Sequence, residues 1–304
     1  MLVAIGACYL DTILTTPYYP GEDEKLRATN VTRRRGGNCP NTLEVLQQLT
    51  SHESTDEELP LALITILPAK SSIASQQIRS AFESRVNLDH GIDRDGFEEP
   101  ASCYIIKSQS TDSRTIVNYN DLPEMSLEEF TRAANELGPE ATWFHFEGRT
   151  PEMTLQFIRY LRKQFPSIQV SVEIEKPGRL GLQELAEEAD VVFYAKDWAQ
   201  NGRRVFTGAV YTDAQGTYAK HVGEVLSRVL DHCYVVPGAR MAPVPSNQVL
   251  EFLNMSQLIQ RRTSKWSRKD WDLSKKLAFA NRVAGMKVSQ EGFAGLDRAL
   301  ASFV

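Results

Sequence analysis

Apolar residues fall into short unbroken runs separated by stretches in which they recur every three or four positions. Leu2 to Cys8, Leu61 to Leu67, Trp143 to Phe146 and Val191 to Tyr194 are mainly apolar runs of strand length, and Ile168 to Ile174, which alternates apolar and polar residues, reads as a further strand. A continuous apolar run of that length marks a strand buried on both faces. Between them, Thr42 to Leu49, Ser71 to Ser84, Pro151 to Lys163 and Leu180 to Glu187 carry the spacing of amphipathic helices. Ser126 and Glu129 form a capping-box signature that opens a further helix. Alternating strands and helices predict an α/β fold: a doubly wound, mostly parallel sheet with helices on both faces. Two stretches break the rhythm. Residues 11–35 are too long for a plain strand-to-helix loop. Cys103 to Lys107 and Arg114 to Tyr119 are β-rich runs flanking a polar turn. Together, about 11–35 and 102–120 predict a small antiparallel sheet projecting from the main one as a lid or dimer contact.

Composition narrows the function classes. The 304 residues, 42% hydrophobic and 24% charged, suit a single large domain spanning 1–304. A net charge of −5 offers no field for nucleic acid or anionic lipid, so neither is expected as a partner. No apolar run approaches the ~20 residues of a membrane span, and residues 2–8 lack the basic flank of a signal peptide. Cys8, Cys39, Cys103 and Cys233 show neither metal-ligand spacing nor a disulfide pattern, which makes the cytoplasm the expected location. Neither G-x-G-x-x-G nor a P-loop occurs. His52 to Glu58 reads as an acidic, solvated surface turn.

The candidate chemistry gathers after strand ends. Arg35-Gly36-Gly37-Asn38-Cys39-Pro40-Asn41 joins a strand to a helix through two glycines and two amides. The glycines admit a ligand to the main chain, and Asn38 and Asn41 both donate and accept, as sugar hydroxyls do. Pro40 suits the first helical turn. Asp11 follows the first strand and is either a bidentate acceptor of hydroxyl protons or a turn residue bonding nearby backbone. Glu147-Gly148-Arg149, Glu173 to Pro177 and Lys196-Asp197 share that carboxyl edge, where open α/β sheets bind ligands. Glu173 is costly to bury unpaired and is expected to meet a cation or hydrogen-bond donors. Arg114 opens a lid strand and is placed to reach a phosphate or to pair within the lid. Arg33, Arg34 and Arg35 alternate in direction on that lid and read as a solvated face rather than a phosphate clamp. His145, inside an apolar run, reads as a satisfied core histidine.

Leu10-Asp11, Arg35 to Asn41, Ser113 to Val117, Phe146 to Arg149, Val172 to Pro177 and Ala195 to Asp197, taken in order, resemble the PfkB/ribokinase family of sugar kinases. Within it they are most similar to the ketohexokinase type. The resemblance covers roughly residues 1–199 and resumes near Trp271, through Ala278 to Ala280, Val283 to Lys287 and Gln290 to Phe293. It implies a β-clasp lid, often shared across a homodimer, and a ketose substrate, with ATP and Mg2+ as co-substrate and cofactor. It also implies that Asp11, Gly37, Asn38 and Asn41 hold the sugar. Arg114, Arg149 and Lys176 would line the phosphoryl-transfer cleft.

One family element is missing. The resemblance calls for D-T-x-G-A-G-D, whose glycine turn binds the developing charge and whose last aspartate is the base. The nearest segment is Val235 to Met241, with Arg240 and Met241 in the places of that glycine and aspartate. An arginine is no base at neutral pH, so no catalytic residue is identified and ATP binding is doubtful. Two explanations stand for residues of about 200–260. Either the segment has diverged, with Gln248 to Ile259 an amphipathic helix of a non-catalytic sugar binder, or it is translated out of frame. Permitted codons for Cys233 to Pro245, read two bases later, allow Cys-Arg-Thr-Trp-Gly-Gln-Asp-Gly-Ala-Cys-Ala, which contains the family's T-W-G-x-x-G-like nucleotide turn.

Overall fold

The computed structural model describes residues 1–50, 59–82, 85–194, 233–235, 286, 290 and 294–296. The strands are β1 (Leu2–Ile5), β2 (Tyr9–Thr16), β3 (Asn30–Gly36), β4 (Leu61–Ile64), β5 (Ile66–Pro68), β6 (Val86–Asn87) and β7 (Ile92–Arg94). They continue with β8 (Ser102–Ser108), β9 (Arg114–Tyr119), β10 (Trp143–Glu147), β11 (Gln169–Ile174), β12 (Val191–Tyr194) and β13 (Cys233–Val235). The helices are α1 (Asn38–Thr50), α2 (Ile73–Ser80), α3 (Leu127–Leu137), α4 (Pro151–Gln164) and α5 (Leu182–Glu188).

The central sheet is parallel at every described pair, in the order β13-β12-β11-β10-β1-β4-β6. Every residue of β1 and β4 is buried, which requires cover on both faces. α1 packs against β1, β4 and β10, while α3, α4 and α5 form a second packed group in which α5 meets β11. Phe130 of α3 stacks on Phe157 of α4 with ring centroids 4.3 Å apart. The capping box at α3 is formed in both directions, Glu129 N–H to Ser126 and Ser126 N–H to Glu129. No helix among the described residues is long and apolar enough to cross a membrane.

Three expectations need correction. The first strand ends at Ile5 rather than Cys8, because the chain leaves the central sheet at Gly6 and enters a second one at Tyr9. Residues 61–67 form two strands, since Thr65 turns β5 away to pair with β7. The projecting sheet is four-stranded, β3-β2-β8-β9, and mixed rather than antiparallel. Its middle pair, β2 with β8, runs parallel, a long-range pairing that no turn signal announces. The regions expected at 11–35 and 102–120 supply its strands, at 9–16, 30–36, 102–108 and 114–119.

His145 is the satisfied core histidine expected. Ser171, its register partner on β11, has its hydroxyl 2.8 Å from the ring Nδ1 and accepts from Trp143 Nε1 at 2.8 Å. Burial pushes its pKa down to about 4 from the ordinary 6.5. The unfolded chain therefore binds a proton below pH 6.5 that the folded chain refuses, and stability falls as pH drops from 6.5 towards 4. That gap corresponds to about 3 kcal/mol. Urea titrations across this window are expected to show the loss in the parent and a flatter profile in His145→Gln; parallel profiles would contradict the assignment.

Candidate active site

The strand order reverses between β1 and β10, since the chain runs outward from β1 through β4 and, on the other side, from β10 through β11. Ligands of open α/β sheets bind beyond the carboxyl ends of the strands at such a switch point. A backbone-to-side-chain bond ties this point together, with the N–H of Ala7, just past β1, donating to Glu147 Oε2 at the end of β10 (2.9 Å).

The glycine loop closes over the same spot. Gly37 has φ +106°, and a Cβ there would lie 2.2 Å from the carbonyl oxygen of Ala7. Only glycine fits. A Cβ on Gly36 would come within 2.5 Å of Asp11 Oδ2, so the carboxylate of β2 lies directly against the loop. α1 then begins at Asn38, earlier than the Thr42 read from periodicity, with Pro40 in its first turn as expected. Asn38 Nδ2 donates to both carboxyl oxygens of Glu173, each at 3.0 Å. Glu173 is 2% exposed, and the donor expected for it is this amide rather than a cation.

Electrostatics follow from burial. Desolvation, then the nearby Glu175 and Glu147, raises the Glu173 carboxyl well above the ordinary range, against the lowering bonds from Asn38. Desolvation also raises Glu147, opposed by the Ala7 N–H. Burial raises Asp11, while Arg34, 3.8 Å away, together with a hydrogen bond to Cys103 and the charge of Arg114, pulls it down. Glu147 and Glu173 are register partners on adjacent strands, so two reluctant carboxyls sit side by side beneath the loop.

The structure thus gathers Asp11, Gly37 and Asn38, with Glu147 and Glu173 beneath them. Asn41 stands one turn along α1, its Oδ1 3.5 Å from an Arg35 Nη1 donor. Arg114 is exposed on β9 yet within electrostatic reach of Asp11. Arg149, which lines a pocket with Ala7 and Glu147, forms a two-pronged ion pair with Glu124 at 2.6 and 2.5 Å. Burial opposes the charge of Arg149, but Glu124, Glu147 and Tyr9 outweigh it and hold the guanidinium above its ordinary range. Lys176 is exposed and not brought into the cluster by any described side-chain bond. Lys196 and Asp197, the segment 200–260 apart from β13 and most of the region after Trp271 lie outside the described residues.

Sequence reasoning missed Cys103 and Glu124. Cys103 is paired in register with Asp11 through the parallel β2–β8 contact, and Glu124 anchors Arg149 from a loop without local signature. The solvated-face reading of the three arginines holds for exposed Arg33 but not for Arg35, whose guanidinium lies 4.4 Å over the Phe82 ring and pairs with Glu44. Among the described residues no group of three His, Cys, Asp or Glu side chains is arranged to hold a metal ion.

No family model matches the chain. It is 28% identical over 207 residues to the ketohexokinase of Mus musculus, which covers 66% of this chain and 65% of that protein. The match therefore spans just under two thirds of the relative's length. In structure it is similar to ribokinase of Thermotoga maritima, with TM-score 0.68 and 12% identity over 100% of this chain and 98% of that one. It is likewise similar to Arabidopsis thaliana ribokinase, solved with ribose and ATP, with TM-score 0.65 and 14% identity over 99% and 97%. The chain is similar in sequence to ketohexokinase, and its fold is the ribokinase-like α/β fold of the PfkB sugar kinases.

Proposed function

We propose that this chain carries the sugar-binding half of a ketohexokinase-type kinase, whose reaction moves the ATP γ-phosphoryl group to a ketose hydroxyl, O1 of fructose. The observation that supports it best is the closure of Gly36-Gly37-Asn38 over Asp11 at the switch point of the sheet. There a carboxylate, an amide and a main chain bared of side chains converge, a set suited to several adjacent hydroxyls. Asp11 and Asn38 contact the ketose, and Asn41 completes the set from α1. Arg114 approaches from the lid side. Arg149 braces Glu124 and takes a structural part.

The nucleotide side does not fit. Where D-T-x-G-A-G-D belongs, the chain carries Arg240 and Met241, which supply neither a carboxylate base nor a glycine turn for ATP and Mg2+. Loss of a base and of an anion hole each removes on the order of 10²-fold or more in rate. Phosphoryl transfer by this chain is therefore impaired. ADP release by the purified chain with ATP and fructose is expected at background, and ketose-dependent release would overturn the reading. The competing account of the gap, a shifted reading frame over about 200–260, is tested on genomic DNA upstream of the Trp271 codon. An intact D-T-x-G-A-G-D reading there supports the shift, and codons unable to encode the turn in any frame leave a non-catalytic sugar binder.

The lid also favours a homodimer. Val31, Tyr104 and Val117 are exposed on one face of its sheet, apolar side chains that a partner lid would cover. Sedimentation is expected to give twice the chain mass, with Val117→Lys shifting it to the monomer; a parent that sediments as a monomer would refute this.

A further inference from the structure

We propose a second ligand site, for a phosphate anion, on the side of β3 that carries Arg33 and Arg35. Alternation along the strand sends Arg34 towards Asp11 and leaves Arg33 and Arg35 on the opposite face. A cavity of ≈ 290 Å³ there is lined by Arg33, Arg34 and Arg35 of β3 with Leu10, Glu44, Gln77 and Ala81. Its volume is ample for a phosphate group and near the lower end for small-molecule sites.

The donors there outnumber the acceptors. The side chain of Arg35 is 3% exposed, and a guanidinium carries five N–H donors in a rigid fork. Its described acceptors are Glu44 at one terminal nitrogen and Asn41 Oδ1, at the 3.5 Å limit, at the other. The buried Nε–H has no hydrogen-bond partner among the described residues. A buried guanidinium short of acceptors is costly, and an anion that supplies them relieves the cost. Arg33 adds a second cation with no ion pair among the described residues, and Gln77 contributes an amide. Among the described residues Glu44 is the one carboxylate lining the cavity, set against the three arginines of β3. Arginine forks match the oxygens of phosphate in a two-pronged way, and two of them converging on one cavity favour it over chloride or a neutral ligand. The Phe82 ring beneath Arg35 holds the guanidinium in place, so the site is preorganised.

The site is separate from the proposed sugar site, because β3 lies between the cavity and Asp11. The proposal therefore does not rest on the kinase reading, and its test contains neither sugar nor nucleotide. Inorganic phosphate is titrated into the full chain by calorimetry, against sodium chloride at equal ionic strength. Two variants serve, Arg33→Glu on the cavity side and Arg114→Ala on the Asp11 side; both side chains are exposed and spare the core. The expected result is millimolar binding in the parent, weakened at least tenfold by Arg33→Glu and unchanged by Arg114→Ala. Absence of phosphate-specific heat in the parent, retention in Arg33→Glu or loss in Arg114→Ala each overturns the proposal, the last by placing the anion on the Asp11 side.

Discussion

Gly37→Val is expected to cost this protein about 3–5 kcal/mol, the range reserved for substitutions that break a named constraint. Two constraints act together at this residue. Its φ of +106° is a region that β-branched residues avoid, and the added Cβ would lie 2.2 Å from the Ala7 carbonyl oxygen. Strain of the first kind costs about 1–3 kcal/mol, and the steric overlap cannot be relieved without moving the β1–β2 turn that Glu147 holds. Gly178→Ala is the control, because its φ is also positive, at +79°, while nothing lies within 4 Å of the new Cβ. It should cost about 1 kcal/mol. Since domain stabilities run to about 5–15 kcal/mol, urea titrations separate the two easily. Equal losses would mean that the close approach to Ala7 carries no energy.

The second large effect concerns Glu173. Its carboxyl is buried, raised well above the ordinary range chiefly by desolvation, and bonded at both oxygens by Asn38. The folded chain keeps a proton that the unfolded chain releases above its ordinary pKa of 4.5. Stability linked to this group is therefore complete below pH 4.5 and lost as pH rises through the folded value. Glu147, raised in the same way, adds to the slope. Glu173→Gln, a neutral substitute of the same shape, should match the parent near pH 4 and exceed it at neutral pH, by about 2–4 °C in Tm for each kcal/mol recovered. Asn38→Ala should act in the opposite sense. It strips a buried carboxyl of its described donor, at about 1–3 kcal/mol, and the loss should shrink when Glu173 is already glutamine. A double-mutant cycle over pH 4–8 measures that coupling, and additive losses with no pH trend would contradict it.

The central sheet was legible in the sequence because strands buried on both faces leave unbroken apolar runs, as Leu2–Ile5 and Leu61–Ile64 do. The lid was legible only as an interruption. Its strands are half exposed, and the parallel pairing of β2 with β8 joins residues about ninety positions apart, so the neighbour that Cys103 makes of Asp11 has no local trace. Gly36, Gly37 and Asn38 could be singled out because glycine pairs and amides before a helix carry their chemistry in their identity. Their common partner could not, since Glu173 meets Asn38 only through the order of strands β1, β10 and β11. Arg149 could be singled out by its place at a strand end, but its ion-pair partner Glu124, in a loop without signature, could not. Arg35 looked like one of three solvated charges until Phe82 and Glu44 were found on either side of it.

The account stands on a sugar site that survives without a nucleotide site, and thermal unfolding of the whole chain with each ligand tests it most directly. A ligand that binds only the folded state stabilises it by about 2.7 kcal/mol at a hundredfold excess over Kd. Fructose is expected to raise Tm, ATP with Mg2+ to leave it unchanged, and Asp11→Ala to abolish the fructose effect. A Tm unmoved by fructose, or raised equally in Asp11→Ala, would contradict the sugar site, and a rise with ATP would contradict the loss of the nucleotide side.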